Sequence, residues 1–131
     1  MNPRALRDFR RPRLWLGLWC LAIAAVVVAS LMPPPEMSVP RGFDKIEHLL
    51  GYLLLAAGAV LLFARANTQL KAGLGLVALG IALEFAQAGL TQTRTADPAD
   101  ALANASGVAL GLLLTFSPFA RGLQWLDARL P

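Results

Sequence analysis

The stretch that decides the fold is Leu14 to Leu31, L-W-L-G-L-W-C-L-A-I-A-A-V-V-V-A-S-L, an uncharged run of 18 residues. At about 1.5 Å per residue, a helix of this length reaches roughly 27 Å, enough to cross the hydrocarbon core of a bilayer. The run therefore predicts a transmembrane helix. A cleaved signal peptide is the alternative, with Val28-Ala29-Ser30 as its cleavage site, but the apolar region of a signal is typically only about 7 to 15 residues long.

The composition of the whole chain is typical of a membrane protein. Of its 131 residues, 56% are hydrophobic and 15% are charged, and the mean hydropathy is +0.56. The net charge of +4 comes from the first 13 residues, which hold five arginines and one acidic residue. Such a cluster is a topology signal or a contact with anionic lipid headgroups, and it is unlike the basic stripe of a nucleic-acid-binding protein. We therefore expect membrane lipids, and no nucleic acid, as partners.

Three further apolar runs follow the first, separated by polar or proline-rich segments. We predict a second helix that begins with Asp44 as its N-cap and ends near Ala64, a third over residues 70–90, and a fourth from Asp97-Pro98 to Ala120. The predicted fold class is all-α, a polytopic membrane protein with four transmembrane helices. The predicted parts are a basic arm (1–13), a four-helix domain (14–120) and an interfacial tail (121–131).

The distribution of cations predicts the topology. The N-terminal arm holds five, the connection at residues 65–71 two and the tail two, whereas the two opposite connections hold Arg41, Lys45 and Arg94. Because cytoplasmic segments carry the excess of Lys and Arg, we expect both termini on the cytoplasmic side of the membrane. The segments with unusual polar residues then lie together at the outer face.

Polar residues recur at helical spacing in three of the four predicted helices. They form one stripe or face in each: Asp44, Lys45, His48 and Tyr52 in the second, Glu84 and Gln87 in the third, and Asp100, Asn104, Gly107 and Gly111 in the fourth. The Gly-x-x-x-Gly spacing in the fourth is typical of closely packed membrane helices. Ionisable residues inside a membrane are costly, so their recurrence indicates a functional site.

The depths of three of these residues are similar. His48 lies four residues after the predicted start of its helix, Glu84 six before the end of its helix, and Asn104 six after Pro98. At about 1.5 Å per residue, all three lie roughly 6 to 9 Å inside the outer boundary. The sequence therefore predicts one polar pocket, open to the outer leaflet, that is built by three helices.

The residue types suggest several roles in this pocket. Arg94 and Lys45 could bind a phosphate or carboxylate, and His48 and Glu84 could act as general acid and base. One histidine with carboxylates could hold a hard divalent cation, but a zinc site normally has more His or Cys ligands, so we assign no metal and no cofactor. The other predicted residues divide into those that line the pocket, Tyr52, Gln87, Asp100 and Asn104, and those with a structural role, Asp44, Asp97, Gly107 and Gly111.

Each assignment has a structural alternative. Asp44 and Asp97 can be helix caps, Lys45 can extend to the interface, and Tyr52 can belong to a belt of interfacial aromatic residues. Gln87 and Asn104 can form hydrogen bonds between helices, and His48 and Glu84 can be a structural ion pair.

The ordered set of motifs resembles the VanZ-like family of small bacterial membrane proteins. The resemblance depends on Asp44-Lys45-x-x-His48-x-x-x-Tyr52, on Glu84-x-x-Gln87 and on Arg94-Thr95-x-Asp97-x-x-Asp100-x-x-x-Asn104-x-x-Gly107, and it covers residues 14–114. Pro98 departs from the apolar or aromatic residue expected after Asp97. The family takes its name from resistance to the glycopeptide antibiotic teicoplanin, so the resemblance implies a role in the cell envelope or in such resistance.

Three hypotheses follow. The first is recognition of an anionic lipid-linked or cell-wall headgroup through Arg94 and Lys45. The second is an intramembrane enzyme that uses His48 and Glu84 as acid and base. The third is a structural accessory subunit whose polar residues only hold the helices together. The sequence assigns no oligomeric state.

Overall fold

A computed structural model describes residues 5–33, 40–92 and 95–131, and all regular secondary structure in these ranges is helical. The long helices are α1 (Pro12–Leu31), α2 (Phe43–Leu62), α3 (Ala66–Leu90) and α4 (Pro98–Leu112). Two 3-10 turns, Leu113–Phe116 and Pro118–Arg121, lead to a short α5 (Gly122–Arg129). Four helical segments, with the fourth counted as Pro98–Phe116, are long and apolar enough to cross a membrane. The predicted all-α class is therefore confirmed.

The four long helices form a bundle whose centre is the pair α2 and α4. Helix α3 packs against both of these helices, and α1 packs against α2 and α3. The first turns of α2 and α4 lie beside the last turns of α1 and α3, so α2 and α4 run antiparallel to the other two. We call this end of the bundle the polar end and the opposite end the arm end.

Two glycines let α4 approach the backbone of α2. A Cβ atom at Gly107 would overlap the carbonyl oxygen of Leu49, and one at Gly111 would overlap the carbonyl oxygen of Leu53. Both glycines are buried in α4, four residues apart and therefore on one face. This contact brings the polar residues at the start of α4 close to those of α2.

Of the two N-caps predicted from the sequence, one is confirmed and the other is wrong. Asp97 is the N-cap of α4, as predicted, and its carboxylate accepts a hydrogen bond from the Ala99 N–H at 2.8 Å. The prediction of Asp44 as the N-cap of α2 was wrong, because Gly42, with φ of 83°, holds that position and Asp44 lies in the first turn. Glycine adopts this left-handed conformation without the steric penalty of a side chain.

Helices α3 and α4 also differ from the predicted ranges. Helix α3 begins at Ala66, four residues before the predicted start, because the polar connection forms its first turn. Gln69 of that turn is buried, and its Nε2 donates to the carbonyl oxygen of Phe63 at 2.8 Å. Helix α4 ends at Leu112, and the 3-10 turns occupy the last part of the predicted fourth helix.

The N-terminal arm and the C-terminal tail pack together at the arm end. Asp127 of α5 is only 1% exposed, and its carboxylate accepts hydrogen bonds from Trp15 Nε1 at 2.8 Å and from the Arg10 N–H. Burial raises the pKa of Asp127, but these hydrogen bonds outweigh it and hold the pKa below the usual value. The tail is therefore joined to the start of α1 by a buried carboxylate.

Candidate functional site

Lys45 is at the centre of the charged groups at the polar end. Its Nζ lies 2.8 Å from a carboxylate oxygen of Asp44 and 2.6 Å from one each of Asp97 and Asp100. Asp97 and Asp100 belong to the start of α4, so these ion pairs join α2 to α4. The lysine side chain is 33% exposed, and one ammonium group is shared by three carboxylates.

His48 is one turn further along α2 and contacts two residues of α4. Its Nδ1 lies 3.0 Å from Asn104 Oδ1, which fits an N–H donor on this ring nitrogen. Its Nε2 lies 3.7 Å from Asp100 Oδ2, beyond ordinary hydrogen-bond distance. Asn104 is buried, so it fixes the histidine ring with Nε2 directed towards the carboxylates.

Glu84 brings a carboxylate from α3 to the same place. Its side chain is 5% exposed, and Oε2 accepts a hydrogen bond from the backbone N–H of Asp97 at 3.1 Å. One ligand atom each from His48, Glu84 and Asp100 lies within 4.8 Å of the other two. Three helices therefore meet here, at the layer for which the sequence predicted a pocket. We call the six residues of this site the polar cluster: Lys45, His48, Glu84, Asp97, Asp100 and Asn104.

Tyr52 lies beneath the polar cluster, one turn beyond His48. It is 2% exposed, and no described group forms a hydrogen bond with its hydroxyl. The ring and the side chain of Asn104 both pack against Gly80, where a Cβ would lie 3.3 Å from Tyr52 Cζ and 3.0 Å from Asn104 Nδ2. The role of Gly80 in making room for these side chains was not predicted. The available signal was its position one helical turn before Glu84, on the same face of α3.

Two other predicted residues are not at the centre of the cluster. Gln87 is buried, and its Nε2 donates to the carbonyl oxygen of Ser30 at 2.7 Å, so this hydrogen bond joins α3 to α1. Arg94, the predicted anion contact, lies outside the described residues. Ser30 was missed because it reads as an ordinary small residue of an apolar helix, and only its nonlocal partner distinguishes it.

The described charges at the polar end sum to a negative value. Five carboxylates, of Asp44, Glu47, Glu84, Asp97 and Asp100, stand against the two cations Arg41 and Lys45, a formal charge of −3 with His48 neutral. The Lys45 ammonium lowers the pKa of Asp97 below its usual value, and the hydrogen bond from the Ala99 N–H adds to this effect. Lys45 is thus already neutralised by its neighbours.

A cavity adjoins the polar cluster between α1 and α2. Its volume is about 410 Å³, within the range of ligand pockets in proteins. One wall is apolar, with Val26, Ala29 and Leu50, and the other part of the lining includes His48 and Tyr52. A cavity with an apolar wall and a polar end has the character of a site for an amphiphile.

These features define a class: an all-helical protein with four helices able to cross a membrane and an ionisable cluster built by three of them at one end. No protein-family model, curated protein or solved structure matches the chain. The VanZ-like resemblance therefore stays a prediction from the sequence motifs.

Proposed function

We propose that the chain is a multi-pass protein of a bacterial inner membrane with both termini in the cytoplasm. Support comes from the exposed apolar side chains along the long helices, such as Leu21 of α1 and Leu74 of α3, which suit contact with lipid. Arg65, Lys71 and Arg129 lie at or near the arm end. Outside the polar cluster, Arg41 is the cation of the described residues at the polar end, so the excess of cations favours a cytoplasmic arm end. The polar end then faces the outer side.

We further propose that the polar end recognises the headgroup of an envelope lipid or lipid-linked cell-wall precursor. The observation that carries this proposal is the cavity of about 410 Å³ between α1 and α2, which adjoins the polar cluster and has an apolar wall. An amphiphile would place its apolar part along that wall and its headgroup beside His48 and Tyr52. Through the resemblance to the VanZ-like family, the proposed role is envelope maintenance or resistance to glycopeptides such as teicoplanin.

The ion pairs of Lys45 change how an anionic headgroup would bind. Lys45 is paired with three carboxylates, so the attraction for a further anion is weak at that position. The direct anion contact in this proposal is Arg94, whose guanidinium forms bidentate hydrogen bonds with phosphate or carboxylate. Lys45 instead keeps the carboxylates of α2 and α4 together.

A second candidate is an intramembrane enzyme with His48 and Glu84 as acid and base. The observation that favours it is the fixed histidine ring, whose Nδ1 is held by Asn104 while Nε2 points towards the carboxylates. A general acid or base must first be oriented within reach of the proton that it transfers, and only then does its pKa matter. A structural accessory role, the third hypothesis, gains support from the ion pairs between α2 and α4.

Native mass spectrometry of the protein released from its own membrane in mild detergent tests the binding proposal. We expect a bound lipid or cell-wall precursor with the wild type and its loss from Arg94→Ala. Arg65→Ala is the matched control, because it removes the same side chain at the arm end. No bound amphiphile in the wild type, or equal retention by both variants, would contradict the proposal.

Phenotypes of His48→Ala and Glu84→Gln separate the other candidates. With normal protein level and thermal stability, an enzyme would lose its function in both variants, whereas an accessory subunit would keep it. Growth of the host strain with and without teicoplanin supplies the measurement. Disappearance of both variants from the membrane would favour the structural role.

A further inference from the structure

Three side chains from three different helices bring possible metal-ligand atoms close together. They are His48 of α2, Glu84 of α3 and Asp100 of α4, and one nitrogen or oxygen of each lies within 4.8 Å of the others. Three ligands at about 2.1 Å from one ion can all be at most about 3.6 Å apart, so closure around an ion needs each ligand atom to move by less than about 1 Å. Side-chain rotations are sufficient for a movement of this size.

An unpartnered hydroxyl beside the polar cluster is a second, independent indication of a ligand. Tyr52 is 2% exposed, and its buried hydroxyl has no hydrogen-bond partner in the described part of the chain. It lies beside Asn104 at Gly80. Buried polar atoms without partners are rare in native proteins and commonly mark an ion or water.

The arrangement of His48 resembles that of a metal-bound histidine. Such a histidine typically donates its other ring N–H to an oxygen acceptor, which fixes the ring and its tautomer. Here Nδ1 lies 3.0 Å from Asn104 Oδ1, and this leaves the lone pair of Nε2 facing Asp100 Oδ2 at 3.7 Å. With this tautomer, Nε2 and the carboxylate both present electron pairs to the gap, and a cation between them would bind to both.

The charge balance also favours a cation. The described groups at this end carry a formal charge of −3 with His48 neutral, and one divalent ion would reduce it to −1. Carboxylates suit Mn²⁺, and an imidazole ligand favours first-row transition metals over Mg²⁺ and Ca²⁺.

We propose that His48 Nε2, Glu84 and Asp100 bind one divalent first-row transition-metal ion, with Mn²⁺ best suited to this carboxylate-rich ligand set. Asn104 orients His48, and Lys45 holds Asp100 in position. The inference rests on the proposed function in that it concerns the same end of the bundle, and the ion would give an anionic headgroup a positive centre to bind.

Metal binding to detergent-purified, chelator-treated protein tests the inference without any headgroup. After incubation with Mn²⁺ or Zn²⁺ and desalting, mass spectrometry of the elements measures the bound metal. We expect one equivalent in the wild type and in Glu47→Gln, the matched control, which changes an exposed carboxylate next to His48. Affinity should fall at least about tenfold in His48→Gln and Asp100→Asn. Equal binding by all four proteins would show adventitious ions only, and no binding by the wild type would equally overturn the inference.

Electron spin echo spectroscopy of the Mn²⁺-loaded protein gives a second readout that does not depend on affinity. A nitrogen coupling in the wild type that is absent from His48→Gln would identify the histidine ligand, and its absence from the wild type would overturn the proposed ligand set. If His48→Gln or Asp100→Asn does not fold, the test uses the wild type and Glu47→Gln alone. A nitrogen coupling in both proteins supports the proposed ligand set, and no coupling in either overturns it. Binding of metal without a bound amphiphile would contradict only the headgroup proposal. Binding of an amphiphile without metal would contradict only this inference.

Discussion

The close contact between α2 and α4 makes a sharp prediction for Gly107→Ala. The added methyl group would overlap the carbonyl oxygen of Leu49 and lie 3.0 Å from the Leu53 nitrogen. Both neighbours are backbone atoms, so the helices must separate, and overpacking of this kind costs about 1 to 3 kcal/mol. Alanine gains about 1 kcal/mol over glycine from its helix propensity. The free energy of unfolding should therefore fall by up to about 2 kcal/mol relative to the wild type.

Gly75→Ala is the matched control, because Gly75 is also inside a long helix but has no atom within 4 Å of its added Cβ. The gain in helix propensity is the same in both variants, so their difference isolates the overlap at about 1 to 3 kcal/mol. Reversible unfolding in mixed detergent micelles, followed by tryptophan fluorescence, measures both free energies. Equal stability of the two variants would refute the close contact of α2 and α4 at Gly107.

Three further predictions concern charged groups. Lys45→Met leaves three carboxylates without their cation and should lower the free energy of unfolding by about 1 to 3 kcal/mol. Adding Asp100→Asn should restore part of this loss, and no recovery would argue against the ion pair of Lys45 and Asp100. Trp15→Phe removes a hydrogen bond to Asp127 and should lower the midpoint of thermal unfolding, whereas an unchanged midpoint would contradict the buried contact. Because the pKa of Asp97 is lowered in the folded protein, its ionised carboxylate stabilises the fold above the ordinary pKa of about 3.9. This stabilisation is lost as the pH falls below that value and the carboxylate is protonated. Asp97→Asn should flatten the decline of the unfolding midpoint below about pH 4, and an identical decline in both proteins would refute this.

The features that the sequence predicted well depend on neighbouring residues. Asp97 followed by Pro98 marks the start of α4 because an N-cap and a first-turn proline act within one turn. The layer of His48, Glu84 and Asn104 was predictable because helix geometry converts residue spacing into depth.

The features that were missed depend on contacts between distant segments. Lys45 was predicted to contact an anionic ligand or the interface, but its partners include two aspartates more than 50 residues away. The burial of Asp127 depends on Trp15, which is separated from it by 112 residues. Spacing within one helix carries no information on which residues of another helix will meet it, so pairings of this kind require the fold.

Helix α1 has the highest mean hydropathy of the four long helices, yet none of its 20 residues, all of which the structure describes, is buried. Lipid is as apolar as these side chains, so helices in a bilayer associate through close packing and hydrogen bonds. Helix α1 has no buried residue, whereas the other three long helices have several each, so α1 is the least closely packed of the four. The cavity beside the polar cluster lies between this helix and α2. An amphiphile could therefore enter sideways from the lipid if the end of α1 moves and the hydrogen bond from Gln87 to Ser30 opens, with the contact of α2 and α4 left intact.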